Sequence, residues 1–324
     1  MLHVILIAVA AAVLGVAGGF IWGVYAERYR GVPLWQVEDR WSIGIYFGES
    51  PLKLSAPARL HNPVLTAKDV TDLKADFVAD PFMVREGGIW HMFFEVMDAT
   101  SYCGKIALAL SEDGIKWSYQ SVVLDEPFHL SYPYVFKWQN DYYLIPECYA
   151  ANAVRLYKAI EFPLRWALVG ELLQGSYVDA SIFRYGDQWW LLAAEQQGNH
   201  TLHLFQARDI DGPWIEHPQS PVVSGDTQRA RPGGRILVLD GRIIRYAQDC
   251  TETYGGQLRA FEVTELTTTS YQEKEITPEP VLKASGHGWN KDGMHHADPH
   301  RFSDGRWIAC VDGNRKRTTF RFKY

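Results

Sequence analysis

Hydrophobic and polar positions alternate along most of this chain in short runs separated by polar turns, the period-two pattern of strands with one face buried. Three stretches align with one another: "ADPFMVREGGIWHMFFE" from Ala79, "SYPYVFKWQNDYYLIPE" from Ser131 and "VDASIFRYGDQWWLLAAE" from Val178. Each has a small or polar start, an alternating apolar strand, a polar turn, an aromatic strand and a closing glutamate. Two weaker copies follow, "ARPGGRILVLDGRIIRYAQD" from Ala230 and "ADPHRFSDGRWIACVD" from Ala297. The corresponding residues Asp80, Tyr132, Asp179, Arg231 and Asp298 recur at intervals of 52, 47, 52 and 67. Units of that length hold four antiparallel strands each, the period of propeller blades. A third strand follows in each unit, as in "GKIALALSEDGIKW", and several close on a turn and a Trp. The last unit reaches only its third strand, "TTFRFKY", so the unassigned strand "RWSIGIYFGE" at 40–49 is expected to complete that blade and remove the open edge. The pattern therefore predicts an all-β, five-bladed β-propeller over residues 41–324.

The first residues depart from this pattern. Val4 to Tyr25 is a run of 22 residues without a charge, and as a helix it would cover about 33 Å, enough to cross a bilayer. The expectation is a single transmembrane helix over residues 1–27 and a linker over 28–40. A cleaved signal peptide is the rival reading, but its basic n-region is missing, since only His3 precedes the run. Arg28 and Arg30 follow the segment, which by the positive-inside rule places the main domain on the cytoplasmic side. The Asn-x-Thr sequon at Asn199 points the other way, to a lumen.

Composition narrows the classes. With 47% hydrophobic and 22% charged residues in 324, the chain can bury a large core and is not disordered. The 12 Trp and 17 Tyr suit both pleated strands and the stacking of sugar rings. A net charge of -6 with interspersed signs leaves no basic stripe, which excludes nucleic acid as a partner. Cys103, Cys148, Cys250 and Cys310 have neither CxxC nor zinc-ligand spacing and read as small core hydrophobes.

In a propeller whose first strands are innermost, strand starts and second-strand ends meet at one mouth of the channel, because antiparallel neighbours return to where they began. That mouth would collect Asp80, Asp179, Asp298, Arg231, His295 and His296 from strand starts, and Glu95, Glu147, Glu195, Asp249 and Asp312 from second-strand ends. Carboxyl groups so close push their pKa values apart, making one an acid and another a base near neutral pH. The plainer alternative is that several cap strands or pair with Arg231 and Lys105.

The blade openings "ADP", "SYPYV", "VDASIF", "ARPGG" and "GMHH" resemble those of the five-bladed glycosidases of families 43, 32 and 68, family 43 above all. The resemblance implies Asp80 as catalytic base or nucleophile and Asp179 as the carboxylate that orients and tunes the acid. It also implies His295 or His296 as the histidine beside a central cation, Ca2+ or another. Where that family carries its acid glutamate, this chain has Arg231, which cannot give up a proton at ordinary pH. The acid would then come from Glu147 or Glu195, and Arg231 would suit an anionic ligand such as a sugar phosphate or uronate.

A second resemblance covers nearly all of 41–324. "WSIGIYFGESP", "FFEV", "YYLIPE" and "GMHHADP" are similar to the N-terminal propeller domain of plant glucosamine inositolphosphorylceramide transferases and bacterial relatives. In the plant proteins that propeller precedes a glycosyltransferase domain in a Golgi membrane protein, which implies glycan or glycolipid metabolism at a membrane. Two functions follow as expectations. One is a membrane-anchored enzyme acting on a glycosidic bond through Asp80, Asp179 and Glu147 or Glu195. The other is a noncatalytic glycan-binding propeller supporting a partner glycosyltransferase, with Arg231, Tyr132 and Trp289 contacting the glycan alongside Glu95, Asp249, Asp298 and Asp312. A pure protein scaffold has no need of acids gathered at one mouth.

Overall fold

The computed structural model describes residues 34–58 and 60–321, together with Gly15 and Gly19. No helix among the described residues is long and apolar enough to cross a membrane. The anchor expected over 1–27 lies, those two glycines apart, outside the described residues. Two compact units are present. One contains an antiparallel ribbon in which Leu34–Glu38 pairs with Arg317–Arg321, Trp35 opposite Phe320. The other, Arg40–Arg315, is the five-bladed propeller.

Blade one is Ala75–Glu86, Ile89–Asp98, Gly104–Ser111 and Ser118–Leu124, and blade two is Ser131–Trp138, Asp141–Glu147, Ala153–Glu161 and Arg165–Gln174. Blade three begins with Tyr177–Tyr185, Gln188–Glu195 and Thr201–Ala207, and blade four with Leu237–Leu239, Arg242–Asp249 and Gln257–Leu266. Short outer strands complete both. The hairpin of blade four turns on Asp240 and Gly241, both at positive φ (50° and 79°), as a tight primed turn requires.

Blade five is closed from the chain's beginning, with one difference from the sequence-based expectation. Its order is Ala297–Arg301, Trp307–Asn314, Trp41–Ser50 and Lys53–Ser55. The early strand therefore takes the third position, not the fourth, and "TTFR" leaves the blade for the ribbon. Register explains the choice. Trp41–Gly48 pairs without a break against Asn314–Trp307, which puts Ile43 and Ile45 into the core with no exposed surface. The residues at 315–318 are exposed and bring no such apolar face.

Apolar side chains fill the spaces between blades, as where Phe82 and Phe93 of blade one meet Tyr134 and Leu144 of blade two. The centre is filled as well. Tyr132 of blade two accepts the Gly234 N–H at 2.7 Å and exchanges a hydrogen bond with Ser181 of blade three at 2.9 Å. Arg235 pairs with Asp298 of blade five and donates to the carbonyls of Val135 in blade two (2.9 Å) and Met83 in blade one (3.3 Å). One guanidinium thus ties three blades to the segment that opens the fourth.

Gly234 itself runs alongside Ala297 with φ +135°, and a Cβ there would lie 1.9 Å from the Ala297 carbonyl oxygen. Gly234→Ala is expected to lower the melting temperature by at least ~5 °C, from backbone strain of about 1–3 kcal/mol plus the displaced contact. An unchanged melting curve would contradict this close approach between the fourth and fifth inner strands.

Candidate functional site

Three inner strands bend at the same place. Asp80, Tyr132 and Asp179 have φ of 52°, 44° and 52°, the left-handed region that residues other than glycine avoid. Each lies in a register shift between its inner strand and the second strand, between Ala79 and Phe82, Ser131 and Tyr134, and Val178 and Ser181. A bulge there re-aims a side chain, and strain of this kind concentrates at functional positions.

Around this bend the blades bring together five carboxyl groups, Asp80 and Glu95 of blade one, Glu147 of blade two, Asp179 of blade three and Asp312 of blade five, all buried. Asp80 and Arg231 are the more accessible, with side chains 11% and 12% exposed, so a ligand would meet them first. Arg231 Nε donates to Asp179 at 2.5 Å, Nη1 to Asn199 at 2.8 Å and Nη2 to Glu147 at 3.4 Å. Its guanidinium also lies 5.1 Å from the ring centroid of Tyr254.

Too few cations face these acids for all to be ionised. Burial pushes Asp80 up to about 7 against the pull of His295, with Asp312 and Asp179 adding to the rise. Burial likewise lifts Asp179 to about 7 against Arg231, helped by Glu147. Glu95 is raised well above the usual carboxylate range by burial and then by Asp80, Glu147, Asp179 and Asp312, which are contributions from four blades. His129 Nε2 lies 3.5 Å from Glu95, and its Nδ1 accepts the Gly104 N–H, so the neutral ring presents its proton toward Glu95.

The two adjacent histidines differ. Burial works against charge on His295, but Asp312, 2.7 Å from Nδ1, raises its pKa, and the same contact holds Asp312 low despite burial. Burial holds His296 at about 4, so it is neutral at pH 7; its Nε2–H donates to the Pro81 carbonyl at 2.9 Å. Its Nδ1 lone pair is then buried without a partner, 4.0 Å from Asp80. Asp80, His295 and Asp312 offer ligand atoms within 4.8 Å of one another. This mixed oxygen and nitrogen set, with the orphaned His296 nitrogen beside it, fits a divalent cation.

Several residues singled out from sequence lie elsewhere. Glu195 faces away: Ala79 pairs with Glu95 and Ser131 with Glu147, but Val178 pairs with Ala194. One extra residue turns a side chain to the opposite face of a strand. Glu195, 46% exposed, instead meets His203 at 3.1 Å. Asp249 is bound by Gln257 at 2.7 Å and Arg259 at 2.8 Å. These bonds and Thr251 hold it at about 2 against the effect of burial. Asp298 lies further down the channel, where it accepts the Met83 N–H at 2.6 Å and pairs with Arg235. Trp289 packs over Gly44 and Gly313 of blade five. Tyr132 has no exposed surface and spends its hydroxyl on Ser181 and Gly234.

Other residues belong to the mouth without having been marked. Gln248, next to Asp249, donates to Asp179 at 2.9 Å. Trp41 stacks on His295 at 3.9 Å, and Tyr254 meets the same ring edge-on at 5.4 Å. The position of Trp41 at the head of the strand that closes blade five was the only sequence signal for it.

Comparison with known proteins gives a consistent picture. The family described as glucosamine inositolphosphorylceramide transferase 1, N-terminal, matches residues 35–314. Glucosamine inositolphosphorylceramide transferase 1 of Oryza sativa subsp. japonica is 34% identical over 338 residues, covering 96% of this chain and 45% of that protein. Its namesake in Arabidopsis thaliana is 33% identical over 302 residues, covering 86% and 39%. The chain thus spans less than half the length of these curated relatives. Among solved structures, a putative glycoside hydrolase from Parabacteroides distasonis has a TM-score of 0.58 at 11% identity, over 79% of this chain and 95% of that one. The catalytic domain of the Coprinopsis cinerea GH62 alpha-L-arabinofuranosidase has a TM-score of 0.56 at 13% identity, over 87% and 98%. Zg3597, a family 117 glycoside hydrolase of Zobellia galactanivorans, has 0.53 at 13%, over 85% and 90%. At these identities the likeness is one of fold.

Proposed function

The chain belongs to the family of the N-terminal region of glucosamine inositolphosphorylceramide transferase 1, and from that premise we propose that it is a membrane-anchored, carbohydrate-active propeller acting on a glycosidic bond of a glycan or glycolipid. The observation that carries this reading is the gathering of five buried carboxyl groups from four blades, with Asp80 the most accessible of them. Asp80 is the base. With a pKa of about 7 when no cation is bound, it is poised to take the proton of a water attacking the anomeric carbon. Glu95, whose pKa burial and the neighbouring acids raise well above the usual carboxylate range, is the acid that donates to the departing oxygen, with His129 Nε2–H behind it. Asp179 and Glu147 hold Arg231, whose remaining surface orients an anionic or hydroxylated part of the ligand. Tyr254 supplies exposed aromatic surface nearby, while Trp41 packs beneath it against His295.

Asp80, His295 and Asp312, with His296 beside them, would hold a divalent cation, which would supply positive charge to this side of the mouth. Added Ca2+ or Mn2+ is then expected to raise the melting temperature, by about 2.7 kcal/mol of stability at a hundredfold excess over Kd, and EDTA to reverse it. No shift, or the same shift in Asp312→Asn, would contradict the cation site.

A second reading is favoured by Arg231, which stands where related folds are expected to carry an acid and is tied to two carboxylates. It is a glycan-binding propeller that presents its ligand to a partner glycosyltransferase. Incubating the chain with a panel of glycosides and sugar phosphates and measuring new reducing ends separates the two. Product release supports the enzyme; saturable binding without product, abolished by Arg231→Gln, supports the binding module.

A further inference from the structure

At the mouth opposite the acids, the inner strands of four blades end on cations. Inner strands advance about 3.3 Å per residue, so Arg85 stands roughly 16 Å down the channel from Asp80. At that end the strand termini repeat one arrangement, a cation across from an aromatic residue on the second strand: Arg85 opposite Trp90, Lys137 opposite Tyr142, and Arg301 opposite Trp307. The same position in blade three is Arg184, opposite Trp189. The cations are exposed and their aromatic partners are buried. Arg85 lies 5.5 Å from the Trp90 ring centroid and Lys137 5.1 Å from that of Tyr142, so the aromatic rings seat the charges.

Three of these cations share a cavity. A space of about 390 Å³ is lined by Arg85, Lys137, His300 and Arg301 with the apolar surfaces of Trp90 and Phe302, and by no carboxylate among the described residues. Lys137 is partly compensated by Glu86 at 2.9 Å, and His300 faces Asp298 at 3.0 Å. Among the described residues, the hydrogen bond of the Arg85 side chain is a long one to the Gly88 carbonyl, at 3.4 Å. Two guanidinium forks and an ammonium around one hollow match the oxygens of a phosphate group, which binds arginine in a bidentate way. The hollow has the size of a small-ligand pocket, with apolar wall for the organic group the phosphate carries.

We propose that this cavity is a second binding site, separate from the acidic mouth, that takes a phosphate ester through Arg85, Arg301 and Lys137. A free sugar phosphate and a phospholipid headgroup share that chemistry. The full chain, in neutral detergent, is titrated calorimetrically with glycerol 3-phosphate at low salt. Reconstituted, it is assayed for its preference for phosphatidylcholine vesicles containing phosphatidic acid over phosphatidylcholine alone. Saturable binding of glycerol 3-phosphate assigns a soluble ligand, and a preference for phosphatidic acid alone assigns a headgroup; either upholds the site. In both arms the Arg85→Gln/Arg301→Gln variant is expected to lose at least tenfold in affinity while Asp80→Asn loses none. These arginines are exposed, and a melting curve matching wild type confirms that the double variant is folded. Absence of saturable binding in both arms, or binding indifferent to the double variant, overturns the site.

Discussion

Asp80→Asn is expected to lower turnover of a glycoside by roughly 100- to 10,000-fold, the range that general acid–base assistance supplies. The amide keeps the size of the side chain but cannot take a proton from water. The same change should not unfold the protein, and pH gives it a distinctive signature. The folded-state pKa of Asp80, about 7, lies above its unfolded value near 3.9. Its contribution is therefore fully present below the unfolded value and is lost as pH rises through 7. Asn has no such loss, so in EDTA, which keeps the carboxyl free of any cation, the variant's melting temperature relative to wild type should climb between pH 5 and pH 8. Turnover retained in Asp80→Asn would remove Asp80 from the chemistry. A difference in melting temperature that does not change with pH would show that the carboxyl group is not in a dry site.

Arg235→Leu is expected to cost about 3–5 kcal/mol, since removing one partner of a buried ion pair leaves the other charge uncompensated. Asp298 has no exposed surface. Burial alone would raise its pKa, but Arg235 and His300 hold it well below the usual carboxylate range, so it stays charged. The carbonyls of Val135 and Met83 lose their donor as well. At about 2–4 °C per kcal/mol the melting temperature should fall by roughly 10 °C. Adding Asp298→Leu should recover part of the loss, because the stranded charge is gone. A single variant that melts like wild type would mean that Arg235 does not staple the blades together.

Much of this architecture is legible in the chain because blades repeat. The alternation in "DPFMVREGGIWHMFFE" and its copies reports strands that each bury one face, and the shared openings point to Asp80, Tyr132 and Asp179, which fall at one bend. Parity was the finer signal. Glu95 and Glu147 lie 15 residues after their openers and Glu195 lies 16 after Asp179, an offset that sends its side chain to the other face. Depth along the channel is less visible. Asp298 stands in an Asp-Pro pair like Asp80 but meets Met83, because the fifth inner strand pairs with the second without the bulge of blades one to three. The tie between Arg231 and two carboxylates joins residues up to 84 positions apart, and no local pattern announces it. The strand at 41–50 has the alternation of any blade strand, so its rank within blade five depends on competition between two pairings.

The radial assembly is most directly tested at Glu95, whose proton is held by burial and by acids contributed from four blades. A carbon-13 NMR titration of its δ-carboxyl, assigned with Glu95→Gln and recorded in EDTA, should find the group still protonated at pH 7. Ionisation near the ordinary glutamate value of about 4.3 would mean that the acids do not share one enclosed mouth, and the chemistry built on them would fail with it.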